Sequence, residues 1–246
     1  MTAPVFVIEH FAADGGGRYV LDGPEGRHAV SVKRLRPGER VVLTDGAGRW
    51  AEGEVVGAEG KDRLVVHLSA VDEEPPQSPR ITVVQALPKG DRGELAVETM
   101  TEVGVDAIVP WAAARCITQW KGERGLKALA KWRATAREAG KQSRRVRFPQ
   151  VADAATTRQV ASLLADADFA AVLHETGSEP LATAELPSRG EIVLVVGPEG
   201  GVSPEELALF EEAGARAYRL GRSVLRTSTA GTAAAALLLG RTGRWS

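Results

Sequence analysis

Apolar positions along this chain follow two rhythms. Before residue 74 they come as short β-like runs: Pro4-Val5-Phe6-Val7-Ile8, Arg40-Val41-Val42-Leu43-Thr44, residues 50–56 and residues 63–68, with glycine-bearing turns between them. Such spacing predicts a small β-rich domain. From Ile81 onward, strand-length apolar runs alternate with helical patterns. Strands are expected at 81–87, 106–111, 169–173, 191–196 and 215–220, and helices at 95–103, 127–142, 157–164, from Pro204 and over 227–239. This alternation predicts an α/β fold with a mostly parallel sheet. Asp72-Glu73-Glu74-Pro75-Pro76-Gln77-Ser78-Pro79 separates the two patterns. It is acidic, rich in proline and poor in core formers, as a linker is. The expected division is a first domain over 1–74, a linker over 75–79 and a second domain over 80–246.

The last stretch, 191–246, organises the second domain. Glu191-Ile-Val-Leu-Val-Val196 is a buried-strand run that stops at Gly197-Pro198-Glu199-Gly200-Gly201. Ser203-Pro204-Glu205-Glu206 then has the spacing of a capping box: a serine cap, proline at the first helical position and a glutamate reaching back. A further strand leads to Gly221-Arg222-Ser223-Val224-Leu225-Arg226, and Thr227-Ser228-Thr229 offers N-cap oxygens to a final Ala/Leu-rich helix. Paired loops at the ends of adjacent strands are where open α/β sheets hold ligands. Glu199, Glu205 and Glu206 make the first loop repel a polyphosphate, and its spacing fits neither a dinucleotide nor a P-loop motif. An adenosine-bearing cation held by backbone groups suits it better. Purely structural turns are the competing reading.

Charge changes the picture only locally. Lys plus Arg total 31 against 32 Asp plus Glu, so global charge gives no argument for nucleic acid. Residues 115–147, however, carry eleven Lys and Arg against Glu123 and Glu138 alone. A one-sided segment in a nearly neutral chain favours RNA contact over a merely solvated face. A second basic stretch, Gly26-Arg27-His28-Ala29-Val30-Ser31-Val32-Lys33-Arg34-Leu35-Arg36-Pro37-Gly38, reads as a short helix stopped by Pro-Gly. Cys116 is the only cysteine, which excludes an internal disulfide. No His or Cys spacing suits a metal, and neither a signal peptide nor a membrane span is legible. A cytoplasmic protein without a metal is expected.

The two loop words, Val196-Gly197-Pro198-Glu199-Gly200-Gly201-Val202-Ser203-Pro204-Glu205-Glu206 and Leu220-Gly221-Arg222-Ser223-Val224-Leu225-Arg226-Thr227-Ser228-Thr229-Ala230, closely resemble the C-terminal motifs of a known family. These are the SPOUT-class methyltransferases that act on N3 of a uridine in 16S ribosomal RNA. Ala86-Leu87-Pro88-Lys89-Gly90-Asp91-Arg92, Thr101-Glu102-Val103-Gly104-Val105 and Glu138 with Gln142-Ser143 extend the resemblance over the second domain. The 26–38 stretch resembles, more weakly, the family's PUA-like RNA-binding domain. Ser228 stands where the family usually has Glu, and Glu39 where it usually has Asp.

The resemblance implies a C-terminal SPOUT domain with a deep trefoil knot, preceded by the PUA-like domain. It implies S-adenosyl-L-methionine as cofactor, 16S rRNA within the 30S subunit as substrate, and a homodimer. Cofactor contacts fall on Leu173, His174, Glu175, Val196, Gly197, Pro198, Glu199, Gly200, Gly201, Leu220, Gly221, Ser223, Val224, Leu225, Thr227 and Ala230. RNA contacts are expected from Arg27, Lys33, Arg34, Arg36, Lys89, Arg92, Lys131, Arg137, Lys141, Arg144 and Arg145. Uridine N3 becomes nucleophilic as its proton leaves and charge spreads onto O2 and O4, so a fixed cation there favours the transition state. Arg226 is the candidate catalytic residue; an RNA phosphate contact or a structural ion pair is its competing role. His174 is expected to position ligand. A sister enzyme acting on transfer RNA or a ribose, and a non-catalytic assembly factor, are the alternatives.

Overall fold

Along Arg49–Glu59 burial alternates, with Ala51, Gly53 and Val55 inside and Glu52, Glu54 and Val56 outside. Period-two burial is what a strand with one face on a core produces. In this computed structural model, which describes residues 3–11 and 16–245, that strand is central to the first of two units. The first unit is Met1–Pro76 with Gly140–Phe148, and the second is Gln77–Ala139 with Pro149–Ser246.

In the first unit the strands are β1 (Val5–Val7), β2 (Gly17–Leu21), β3 (Arg40–Thr44), β4 (Arg49–Glu59), β5 (Arg63–Leu68) and β6 (Asp72–Glu73). They run in the order β1-β3-β4-β5-β2, with β6 against β4 and only β1–β3 parallel. Helix α1 (Gly23–Arg27) continues into a five-residue π-helical turn, His28–Val32. The basic stretch is thus helical but not one regular α-helix, and it ends at Arg34, whose φ of 55° leaves the helical region. Ala29 points into the core while Arg27, Lys33, Arg34 and Arg36 face solvent.

The second unit alternates as the sequence predicts. Strands β7 (Arg80–Ala86), β8 (Ala107–Trp111), β9 (Gln150–Val151), β10 (Phe169–Leu173), β11 (Glu179–Pro180), β12 (Glu191–Val196) and β13 (Arg216–Arg219) form one parallel sheet, ordered β11-β13-β10-β12-β7-β8-β9. Its helices are α2 (Arg92–Val103), α3 (Gly122–Gln142), α4 (Thr157–Ala165), α5 (Pro204–Glu212) and α6 (Thr227–Arg241). Ile81, Val83, Ile192 and Leu194 pack with Val97 and Met100 of α2 and Ala234 and Leu238 of α6. Val84, Val193 and Val195 pack on the opposite face with Val160 and Leu164 of α4 and Phe210 of α5. Both faces are covered, which is why β7 and β12 read as largely apolar runs, interrupted in β7 by Thr82 and Gln85.

Helix α3 starts at Gly122, five residues before the expected Lys127. Two glycines make the first turn look breakable. Gly125, however, lies against Trp120, where a Cβ would come within 2.9 Å of the Trp120 carbonyl carbon. The close approach fixes the turn that composition alone would dissolve.

Candidate active site

The registers set four strand ends level. Leu173 of β10 pairs with Val196 of β12 and with Tyr218 of β13, and Val196 pairs with Gln85 of β7. The segments leaving β10, β12 and β13 therefore emerge side by side at the carboxyl edge, where parallel sheets bind ligands. They enclose a cavity of about 770 Å³. Residues 173–175, 196–201, 220, 221, 223–225, Thr227 and Ala230, all expected as cofactor contacts, border it together with Arg226. Arg92, expected on the RNA side, also lines it. So do Arg115, Arg219 and Arg222, which sequence reasoning did not assign to this site.

The first loop is held from three directions. The Glu199 carboxylate accepts from the Lys89 backbone N–H at 3.1 Å, and Arg115 Nη1 donates to the Gly200 carbonyl at 3.1 Å. The Thr227 hydroxyl donates to the Gly197 carbonyl at 2.8 Å. Beyond the loop, Ser203 caps α5 through the expected capping box with Glu206. Glu206 is 5% exposed and does more than cap. It accepts from the Ser203 N–H at 3.1 Å, the Ala114 N–H at 2.7 Å and the Thr157 hydroxyl at 3.0 Å, joining α5 to the segment after β8 and to α4. Bonds from its own backbone N–H and then from the Ser203 hydroxyl hold the Glu205 carboxyl below its usual range.

The second loop differs. Residues 221–226 are all exposed, and Val224 keeps 76% of its surface. The threonine cap expected for α6 is not formed. Arg226 occupies the N-cap position without a side-chain cap bond, and Thr227, the first helical residue, turns its hydroxyl to Gly197 instead. The Thr227 oxygen accepts from Gln85 Nε2 at 3.0 Å rather than from a helix N–H, and its hydrogen is left for the Gly197 carbonyl. Ser228 is buried at the same helix start. The His174 ring nitrogen Nδ1 pairs with the Thr176 hydroxyl at 2.8 Å, not with Glu175.

The cations expected to meet RNA divide by environment. Arg27, Lys33, Arg34, Arg36, Lys89, Lys131, Arg137 and Arg144 are exposed; Arg92 and Arg145 are half-buried. Lys131 pairs with Glu94 at 2.9 Å, and Arg144 donates to the Ala3 carbonyl. Lys141 departs from expectation. Its side chain is 6% exposed and its ammonium lies 2.9 Å from the Glu25 carboxylate, so it is a structural cation of the first unit and does not face a phosphate. Among the described residues, no three metal-ligating side chains cluster and no helix is long and apolar enough to cross a membrane.

Comparison with known proteins agrees with this geometry. A model of the RNA methyltransferase domain matches residues 75–239, and one of the RNA methyltransferase PUA domain matches residues 21–69. Over its full length the chain is 45% identical to Ribosomal RNA small subunit methyltransferase E of Mycobacterium bovis, of which it covers 94%. It is 29% identical to the like-named protein of Bacillus subtilis over 86% of each. Its fold superposes on a Ribosomal RNA small subunit methyltransferase E from Neisseria gonorrhoeae, crystallised with S-adenosyl methionine, with a TM-score of 0.86 and 32% identity over 98% of both chains. Matched along its second domain and nearly half identical throughout to a ribosomal RNA methyltransferase, the chain belongs to the RNA methyltransferase family.

Proposed function

We propose that this protein uses S-adenosylmethionine to methylate N3 of a uridine in small-subunit ribosomal RNA. The cavity at the level ends of β10, β12 and β13 carries the reading: glycine-bearing backbone loops border it, and the relative from Neisseria gonorrhoeae that superposes on this chain was crystallised with S-adenosyl methionine. Glu175 and Glu199 place carboxylates on its wall, favourable to a sulfonium, and the arginines of the same wall favour RNA phosphates beside it. Gly221 has no heavy atom within 4 Å of where a Cβ would stand, which leaves room against its backbone. Residues 173–175, 196–201, 220, 221, 223–225, Thr227 and Ala230 would hold the cofactor. When bound, it supplies an activated methyl group and needs no metal.

The chain's own task is placement and charge. The Arg226 guanidinium is exposed on the cavity wall and makes no ion pair or hydrogen bond among the described residues. It is the group that stabilises negative charge developing on the uracil oxygens. Arg92, Arg115 and Arg222 line the same cavity and attract the phosphates around the target base, which must leave its stack to enter. The exposed cations of each unit supply further, sequence-independent attraction. A trefoil-knotted path for the C-terminal segment, a homodimer, the assembled 30S subunit as substrate and a cytoplasmic location are part of the same proposal.

The test is methyl transfer from labelled S-adenosylmethionine to purified 30S subunits, followed by nucleoside mass spectrometry. Label in 3-methyluridine of the small-subunit RNA is expected. Label in transfer RNA or on a ribose, or no label with any RNA, would overturn the proposal.

A further inference from the structure

Gln85 is not on the wall of the cavity, yet it is fully buried one residue before the end of β7, beside Val196. Its Nε2 donates to the Ala86 carbonyl at 3.1 Å and to the Thr227 hydroxyl at 3.0 Å. A carbonyl can only accept, so the Ala86 contact fixes which end of the amide faces Thr227. The Thr227 oxygen therefore receives a hydrogen from Gln85, and its own hydrogen is left for the Gly197 carbonyl at 2.8 Å. The polarity runs one way, from Gln85 through Thr227 to Gly197.

From this geometry we infer that Gln85 is a positioning residue: through Thr227 it locks the Gly197 loop to the start of α6 and so sets the shape of the cofactor cavity. The inference rests on the function proposed above. Two observations favour it over simple packing. Among the described residues Gln85 Oε1 is buried without a partner, a destabilising state that Met or Leu would avoid at the same place. Both ends of the relay belong to the cavity wall, since Gly197 and Thr227 line it and Arg226 directly precedes Thr227. A lock of this kind holds a binding geometry before the ligand arrives, so its loss appears first in affinity.

The polarity provides the test. In Gln85→Glu the carboxylate accepts the Thr227 hydrogen and faces the Ala86 carbonyl, so the Gly197 carbonyl loses its donor. Thr227→Val keeps the shape and removes the hydroxyl. Each is expected to raise the dissociation constant of S-adenosylmethionine at least tenfold by calorimetry; Thr227→Val should keep the thermal midpoint close to wild type, whereas the carboxylate of Gln85→Glu, buried against the Ala86 carbonyl, should lower it. Turnover at saturating cofactor should fall much less. Because both act on one relay, the double variant should be no weaker than the worse single one within about twofold, as coupled sites behave. Thr227→Ser should recover most of what Thr227→Val loses. If Gln85→Glu fails to fold, Gln85→Met takes its place in the cycle.

Hydrogen exchange without cofactor separates this idea from the proposed function. The Gly201 N–H, bonded to the Pro198 carbonyl at 2.9 Å, should exchange faster in each single variant and no faster in the double. Wild-type exchange in both single variants, or additive losses of affinity, would overturn the relay. Wild-type protein that ignores S-adenosylmethionine would overturn the proposed function, and the exchange data would still decide the relay.

Discussion

Arg115 grips Gly200: its Nη1 donates to the Gly200 carbonyl at 3.1 Å, and its Cβ would lie 3.2 Å from a Cβ added to that glycine. The segment after β8 is therefore packed against the first cavity loop. Gly221, on the second loop, meets nothing within 4 Å. Valine at the two positions should thus behave differently. Gly200→Val is expected to lower both the thermal midpoint and cofactor affinity, because the loop must move off Arg115. Gly221→Val should leave the midpoint within about 2 °C, as surface changes do. Its affinity should still drop if the cofactor lies against that backbone. Differential scanning fluorimetry beside calorimetry reads both. Unchanged affinity in Gly221→Val would remove Gly221 from the site.

The basic positions should separate in the same way. Lys141→Ala removes a buried cation 2.9 Å from the Glu25 carboxylate and leaves a space beside it. A clear fall in urea midpoint is expected. Arg124 and Lys127, exposed on α3, carry no such partner among the described residues. Charge reversal at both should leave the midpoint alone and weaken RNA binding. The slope of log affinity against log salt should become shallower by about 0.7–0.9 for each phosphate that the protein no longer neutralises. A wild-type slope would make this face of α3 a solvated surface only.

Lys141 also shows where the sequence stops being informative. In composition it matches the other cations of its segment. Its inward turn depends on the phase of α3 and on Glu25, 116 residues earlier. Gln85 is similar: it is one polar residue in an apolar strand, and its partner Thr227 lies 142 residues away. Arg115 and Gly200 are 85 apart. By contrast, the parallel sheet is legible because strands buried on both faces must be continuously apolar. The Ser203 cap is legible because its partner is three residues on. Local rules reach what is local. The threonine cap of α6 failed because Thr227 falls inside the helix and a distant amide, Gln85, donates to its oxygen.

The Ser203 cap carries a pH signature. Its hydroxyl accepts from the Glu206 N–H and donates to the Glu205 carboxylate at 2.8 Å. The Glu205 carboxyl is held below the ordinary carboxylate range, first by its own backbone N–H and then by Ser203. A depressed pKa contributes stability that is present above the unfolded pKa and fades as pH falls through the folded one. Ser203→Ala should cost about 0.5–2 kcal/mol at neutral pH, typical of a lost cap. The gap to wild type should narrow as the buffer is taken below about pH 4, where carboxylates protonate. Thermal melts across that range read it, and a gap that stays constant would remove Glu205 from the account.

Arg226 makes the sharpest claim on chemistry. It stands at the N-cap of α6 with φ −66° and ψ 150°, its side chain exposed on the cavity wall and bonded to nothing among the described residues. A helix N-terminus is electropositive, so a second positive charge there is ill placed until an anion arrives. Two anions can arrive, the uracil oxygens as N3 loses its proton or an RNA phosphate, and kinetics distinguishes them. An interaction made only in the transition state lowers the rate of bound substrate, whereas one made throughout raises the Michaelis constant alone. Arg226→Ala is expected to lower single-turnover methyl transfer on saturating 30S subunits about a hundredfold, the scale of a lost oxyanion donor. Its affinity for S-adenosylmethionine should stay near wild type, since the relay through Thr227 is intact. Raising the pH should restore part of the rate, because the uridine N3 proton then leaves with less help. Arg226→Lys, a cation without the planar fork, should recover only part of it. A wild-type single-turnover rate with a raised Michaelis constant for 30S subunits would assign Arg226 to phosphate binding instead.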